Sequence, residues 1–149
     1  MCNFAHLSFS GSKTGELVAR VQSHTGSMGT ILLVDSNPLR ASIRTSILED
    51  VAPEVVRAFD AAEALCLVES PEFAQKLGLV ITEHAIPGIS GPEFVSELRT
   101  RLPHVHVLML GTVPAATREY EGIAGVSHAE ACSAAELRNL ANRLIGVAQ

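Results

Sequence analysis

The chain has 149 residues, a formal net charge of −5 and 47% hydrophobic residues, with few aromatics. That length suits one domain with its own core, here an aliphatic one of Leu, Val, Ile and Ala. The acidic balance argues against sequence-independent nucleic-acid binding, which needs clustered Lys and Arg, and no apolar run approaches the roughly 20 residues that span a bilayer.

Cys2, Cys66 and Cys132 show no metal or redox spacing and read as free thiols of a reducing cytosol. No charged segment followed by an apolar block marks a secretion signal, so the expected location is the cytoplasm. Residues 1–28 are rich in Gly, Ser and Thr and show no sustained period, so they read as a flexible extension ahead of a domain at 29–149. Gly11-Ser12-Lys13-Thr14 resembles a phosphate loop only at a glance. That loop needs glycine directly before the lysine and again five residues earlier, where this chain has Ser12 and Leu7.

From residue 30 the pattern is regular. Ile31 to Val34 is a continuous apolar run, as in a strand covered on both faces, and Asp35 ends it. Asn37 can cap a helix starting at Pro38, with Leu39, Ile43 and Ile47 as its inner stripe. Glu54 to Phe59 reads as a second strand. Asp60 and Glu63 have capping-box spacing ahead of a second helix, which Ser70-Pro71 breaks. Leu79 to Thr82 is the third strand, with Glu83 at its end. Ser90 and Glu93 box a helix with Phe94, Leu98 and Leu102 facing inward. Val105 to Leu110 is the fourth strand, and 114–120 a short helix. Gly125 to Ala129 is the fifth strand, interrupted by Ser127 and His128. Ser133 and Glu136 box a last helix lined by Leu137, Leu140, Leu144 and Ile145.

Strands alternating with helices imply a doubly wound α/β fold, a parallel sheet with helices on both faces. In such folds ligands bind beyond the carboxyl ends of the strands. The residues there are Asp35 and Ser36, Glu83 and His84, Gly111 and Thr112, and Ala129 and Glu130. His104 and His106 share one side of a strand, but no third metal ligand is placed beside them. No catalytic Ser/His/Asp set or paired acid and base emerges, so an enzyme is not expected.

The opening Ile-Leu-Leu-Val-Asp, the spacing of Glu83 and Pro87, the Gly88-x-x-Gly91 turn and the five-fold alternation resemble the bacterial response-regulator receiver domain, of the chemotaxis-regulator kind. The resemblance covers roughly 29–147. It implies a flavodoxin-like, five-stranded parallel sheet of order 2-1-3-4-5. It also implies a phosphoacceptor aspartate charged by a histidine kinase, with magnesium held by that aspartate and an acidic pair. A hydroxyl after the fourth strand, a lysine after the fifth and an aromatic on the fifth would read the phosphoryl group.

Carried over, the acceptor position holds Glu83, and the acidic pair is reduced to Asp35 and Ser36. The hydroxyl position falls on Gly111, with Thr112 adjacent, and the lysine position on Ala129 or Glu130. No aromatic stands among Val126, Ser127 and His128. Asp35 and Glu83 would make a weak magnesium site at best. The expected role is a stand-alone pseudo-receiver in two-component signalling, with no output domain and no cofactor. It would act as a protein interaction module toward a histidine kinase or a downstream protein. Arg118, Glu119 and Tyr120 are the expected contact surface, with plain packing as the competing reading of Tyr120. The alternatives are a working phosphoacceptor using Glu83 and Mg, a constitutive phosphoryl mimic, and a homodimer subunit.

Overall fold

The apolar run after residue 29 becomes the middle of a sheet. In the computed structural model, which describes residues 29–145, β1 (Thr30–Val34) is buried along its whole length. The expected extension at 1–28 lies outside the described residues. β2 (Glu54–Ala58), β3 (Leu77–Glu83), β4 (His106–Leu110) and β5 (Val126–Ala129) complete the sheet. Every pairing is parallel, and the order is β2-β1-β3-β4-β5, the doubly wound arrangement that the sequence implies. β1 and β3 are covered on both faces and read as unbroken apolar runs. β5 lies at an edge and is only half-buried, which is why polar Ser127 and His128 interrupt it.

Successive strand residues face opposite sides and feed two cores. Ile31, Leu33, Leu79, Ile81 and Leu108 pack with α1 (Pro38–Leu48) and α5 (Ala134–Ile145). Leu32, Val34, Val80, Val107 and Met109 pack with α2 (Ala61–Val68) and α4 (Gly91–Arg101). The caps form as the sequence suggests. Asn37 accepts from the Arg40 N–H at 2.8 Å, and Ser90 with Glu93 closes a reciprocal box.

Two elements depart from expectation. Ser70-Pro71 ends α2 but also opens α3 (Pro71–Lys76), because Ser70 caps the Phe73 N–H and proline is welcome at a first helical position. The stripe of α1 is also turned. Leu39 is 71% exposed and Ile43 54%, while Ala41 and Leu48 are buried. With about 100° between successive residues, Arg44 shares the inner arc with Ala41 and Leu48. Polar demand at the strand ends has therefore overridden the apolar repeat. The cysteines differ as well. Cys132 is a free thiol, but Cys66 on α2 is disulfide-bonded, so the reading of three free thiols fails. Spacing along a chain does not report proximity in space.

The rotation of α1 is directly testable. Ile81→Ala should cost about 3 kcal/mol, as buried aliphatic truncations do. Leu39→Ala and Ile43→Ala should each stay within about 0.5 kcal/mol, as surface changes do. Urea unfolding of the three variants measures this, and a loss at Leu39 comparable to that at Ile81 would contradict the seating of α1.

Candidate functional site at the carboxyl ends of the strands

Register assembles the site. Val34 pairs with Thr82, so Asp35 lies beside Glu83, and Glu83 pairs with Leu110, so Gly111 lies on its other side. The ladder runs past the strand ends, with the His84 N–H donating to Leu110 O at 2.9 Å and the Gly111 N–H to Ala129 O at 2.8 Å. These residues therefore sit on rigid backbone.

Asp35 is fully buried. A buried carboxylate without compensation would cost several kcal/mol, or give up its charge. Here α1 supplies the compensation. Arg40 forks onto Asp35, its Nη2 donating to Oδ1 at 2.7 Å and its Nε to Oδ2 at 3.0 Å. Arg44 Nη1 donates to Asp35 Oδ2 at 2.9 Å and to Glu83 Oε2 at 2.5 Å. Arg40 and Arg44 are four residues apart, so both guanidiniums descend from one helix face. The Asn37 N–H also donates to Asp35 Oδ1, and Arg57 on β2 donates to the Asp35 carbonyl through Nε and Nη2. Burial alone would raise the Asp35 carboxyl. The hydrogen bonds from Arg40 and Asn37 and the charges of Arg40 and Arg44 outweigh it, and the carboxyl lies below its ordinary value. The Asp35 hydrogen bond raises Arg40 against its burial penalty, helped by the charges of Glu83 and Asp35.

These residues do not fit a magnesium ion. A magnesium site needs hard oxygens with lone pairs free, in near-octahedral order. The Asp35 oxygens and Glu83 Oε2 are engaged by guanidinium N–H groups, and Ser36 is exposed. Among the described residues no group of three or more His, Cys, Asp or Glu is arranged to hold a metal. The expected weak magnesium site on Asp35 and Glu83 is thus taken by Arg44 and Arg40, which sequence reading passed over. The available signal was two arginines at i and i+4 in a helix that starts beside an acidic strand end.

Gly111 has φ +78°, a backbone region that suits glycine. A Cβ there would lie 2.9 Å from Glu83 Oε1. Glutamate is one methylene longer than aspartate, and the missing side chain at Gly111 leaves the room it needs. Thr112 does not supply the lost hydroxyl. It is buried, and its Oγ1 has no hydrogen-bond partner among the described residues. Ala129 and Glu130 line an open groove with Cys132 and the α5 residues Glu136 and Arg143, and neither offers an ammonium. Burial and Glu136 push the Cys132 thiol up, against the charge of Arg44.

Of the three residues read as a contact surface, Arg118 and Glu119 are exposed but Tyr120 is 3% exposed. Its ring turns inward from the 3-10 helix Pro114–Tyr120, so the packing reading describes it and the surface reading does not. Its hydroxyl shares a 2.6 Å hydrogen bond with His84 Nδ1, and its ring meets His128 edge-on at 5.0 Å. Burial and the nearby Glu119 push the Tyr120 hydroxyl up to about 12. Burial, and then the charge of His84, lower His128. His106 bonds Ser127 Oγ at 2.8 Å and is lowered by burial and by Arg99. It makes a strand-to-strand contact rather than serving as a ligand.

Two predictions follow from this geometry. Gly111→Ser should destabilise the protein by about 2 kcal/mol, through strain at positive φ and collision with Glu83. The same change in a Glu83→Asp background should cost clearly less, and equal costs in both backgrounds would dissolve the pairing. The second concerns pH. A histidine whose pKa is lowered on folding takes up protons preferentially when unfolded. Stability from His106 and His128 is therefore complete above about 6.5. It is lost as pH falls below that value and levels off beneath the folded pKa. A second loss, from Asp35, belongs below about pH 4. Thermal midpoints between pH 8 and 3 should show both steps, with the upper one reduced in His128→Gln.

Comparison with known proteins agrees with the fold. The family model described as response regulator receiver domain matches residues 31–126. A receiver domain protein from Clostridium thermocellum is 24% identical with a TM-score of 0.66, over 78% of this chain and 94% of that one. The chemotaxis protein CheY4 of Vibrio cholerae is 23% identical with a TM-score of 0.68, over 79% and 99%. The receiver domain of a Pseudomonas aeruginosa sensor histidine kinase, solved with a magnesium ion coordinated in its active-site cleft, is 22% identical with a TM-score of 0.66, over 80% and 98%. No curated protein matches the chain. At these identities the structures speak for the fold, and the family match speaks for membership. With its sheet order, its strand-end acids and more than half its length matched, the chain belongs to the response regulator receiver domain family of two-component signalling.

Proposed function

We propose that this receiver domain works without phosphorylation, as a protein interaction module whose acceptor pocket is closed by its own arginines. The observation that carries the reading is Arg44, whose guanidinium spans Asp35 and Glu83 at 2.9 and 2.5 Å. Phosphoryl transfer rests on positioning and on neutralising charge in flight. Here the cation is already committed to the two carboxylates and cannot follow a ligand. A phosphorylated Glu83 would meet glycine at position 111 and no lysine at 129 or 130.

The mimic reading is less well supported, because the partners of the Glu83 carboxylate are on α1, where they do not report to β4 or β5. The partner is expected to be a cytoplasmic protein, a kinase or a downstream component. Exposed Leu39 and Ile43, flanking half-exposed Arg40, make α1 the better contact face. Arg118 and Glu119 remain available on the opposite side of the site.

Intact mass after incubation with acetyl phosphate and magnesium tests the proposal. The expected result is no added phosphoryl group, and a thermal midpoint unmoved by millimolar magnesium. Combining Arg40→Ala and Arg44→Ala should expose the carboxylates, lower the midpoint, and make it rise again with magnesium. A stable phosphoryl adduct on the unaltered protein, lost in Glu83→Gln, would reject the reading.

A further inference from the structure

The inner face of α1 packs on β1, β2 and α5, and its outer face meets nothing among the described residues. Leu39, Ser42, Ile43 and Ser46 are all exposed. With about 100° between successive residues, the four share one arc about 100° wide. Single exposed apolar side chains are ordinary, but Leu39 and Ile43 stand on adjacent turns and form a patch. The stripe alternates in size and matches itself when reversed. Set antiparallel about a two-fold axis between Ser42 and Ile43, Leu39 of one copy lies opposite Ser46 of the second. The largest projection thus meets the smallest, and the two Ile43 side chains meet beside the axis. A parallel pairing would set Ser46 against Ser46 and bring the two Asp50 carboxylates together. Charge agrees with the antiparallel choice. Arg40 leans toward the helix start, where Nε and Nη2 hold Asp35, while Nη1 has no partner among the described residues. Its side chain is 42% exposed. Asp50, just past the end of α1, is 65% exposed and engages Arg138 Nε through Oδ2 alone, at 3.4 Å. Arg40 and Asp50 lie on the same flank of the stripe. Antiparallel pairing brings like flanks together, so Arg40 of each copy faces Asp50 of the other.

We propose that the outer face of α1 is a self-association surface whose occupant is a second copy of this chain, paired antiparallel across a two-fold axis. Such an isologous contact closes on itself and stops at the dimer. One face of an eleven-residue helix is small, and the net charge of −5 on each copy opposes approach. The dimer therefore belongs among weak, reversible ones, half-formed at about 100 μM. The proposal rests on the reading of α1 as the contact face and names one occupant for it. It is independent of whether Glu83 takes a phosphoryl group.

Sedimentation velocity of the full chain, at concentrations spanning that value, tests the proposal. The unaltered chain should shift from monomer to dimer as concentration rises. Leu39→Glu and Ile43→Glu should each weaken the dimer at least about tenfold, by burying a charge in the contact. Neither should move the thermal midpoint of the dilute protein, because both positions are on the surface. Asp50→Arg should weaken it by about threefold, as the loss of a rim ion pair does. Cross-linking reads the register. A short bis-maleimide added to a mixture of Leu39→Cys and Ser46→Cys chains should join them well above either variant alone, and above the background set by the native cysteines. A monomer at every concentration, or a dimer untouched by Leu39→Glu and Ile43→Glu, would overturn the proposal. Stronger cross-linking of Leu39→Cys with itself would overturn the antiparallel pairing. A stable phosphoryl adduct would reject the phosphorylation-independent role and leave these results standing, so the two readings fail separately.

Discussion

The site depends on one constraint, that the fully buried Asp35 carboxylate must be neutralised where two acidic strand ends meet. A receiver of the ordinary kind can meet such a demand with a divalent cation. This chain meets it with ion pairs from α1, whose guanidiniums are tethered to the backbone and cannot diffuse away. Arginine suits the task, since its planar fork can serve two carboxylate oxygens at once and it stays protonated at any physiological pH. A buried ion pair of this sort is weak ground for claiming net stability, but losing either partner would strand a charge in the interior. The seating of α1 follows from that. It turns Arg44 inward and leaves Leu39 and Ile43 to solvent.

The departures from the receiver pattern are mutually consistent rather than scattered. Glu83 is longer than the residue it replaces, and Gly111 leaves it the space. Its extra reach also brings Oε2 to Arg44 across the gap from β3 to α1. Position 111 carries no hydroxyl, and positions 129 and 130 carry no lysine. On the other face, Tyr120 is buried against Gly91 and hydrogen-bonded to His84. A site that has merely decayed would leave buried carboxylates unpaired. This one has every Asp35 oxygen satisfied.

Two surfaces flank the Asp35–Glu83 site and differ in construction. The α1 surface is apolar and basic, carried on an eleven-residue helix packed against β1, β2 and α5. The 113–119 surface mixes exposed Val113, Pro114 and Ala115 with Arg118 and Glu119, and rests on a single inward ring. The first is rigid by packing. The second has few buried contacts and belongs to the low-stability end of the molecule, where local opening occurs most readily.

Much of the architecture was legible in the residues alone. Apolar runs bounded by Asp35 and Glu83 marked the central strands, and Asn37, Ser90 and Ser133 marked helix starts through side chains that bond within one turn. Those signals are local, so a linear reading can find them. The strand-end positions of Asp35, Glu83, Gly111 and Ala129 were legible for the same reason, as each follows directly on an apolar run. The extra helix at Pro71 was missed because a stop signal and a start signal share the same two residues. What only the tertiary structure decided is where side chains from distant segments meet. The periodicity of α1 favoured Leu39 and Ile43 as its inner face, but the electrostatic demand of Asp35 and Glu83, visible only once the strands are paired, turned Arg44 there instead. Tyr120 stood in a short polar segment with nothing to show its direction. Its burial depends on the absent Cβ at Gly91, twenty-nine residues earlier, and a contact over that separation leaves no pattern in the linear chain.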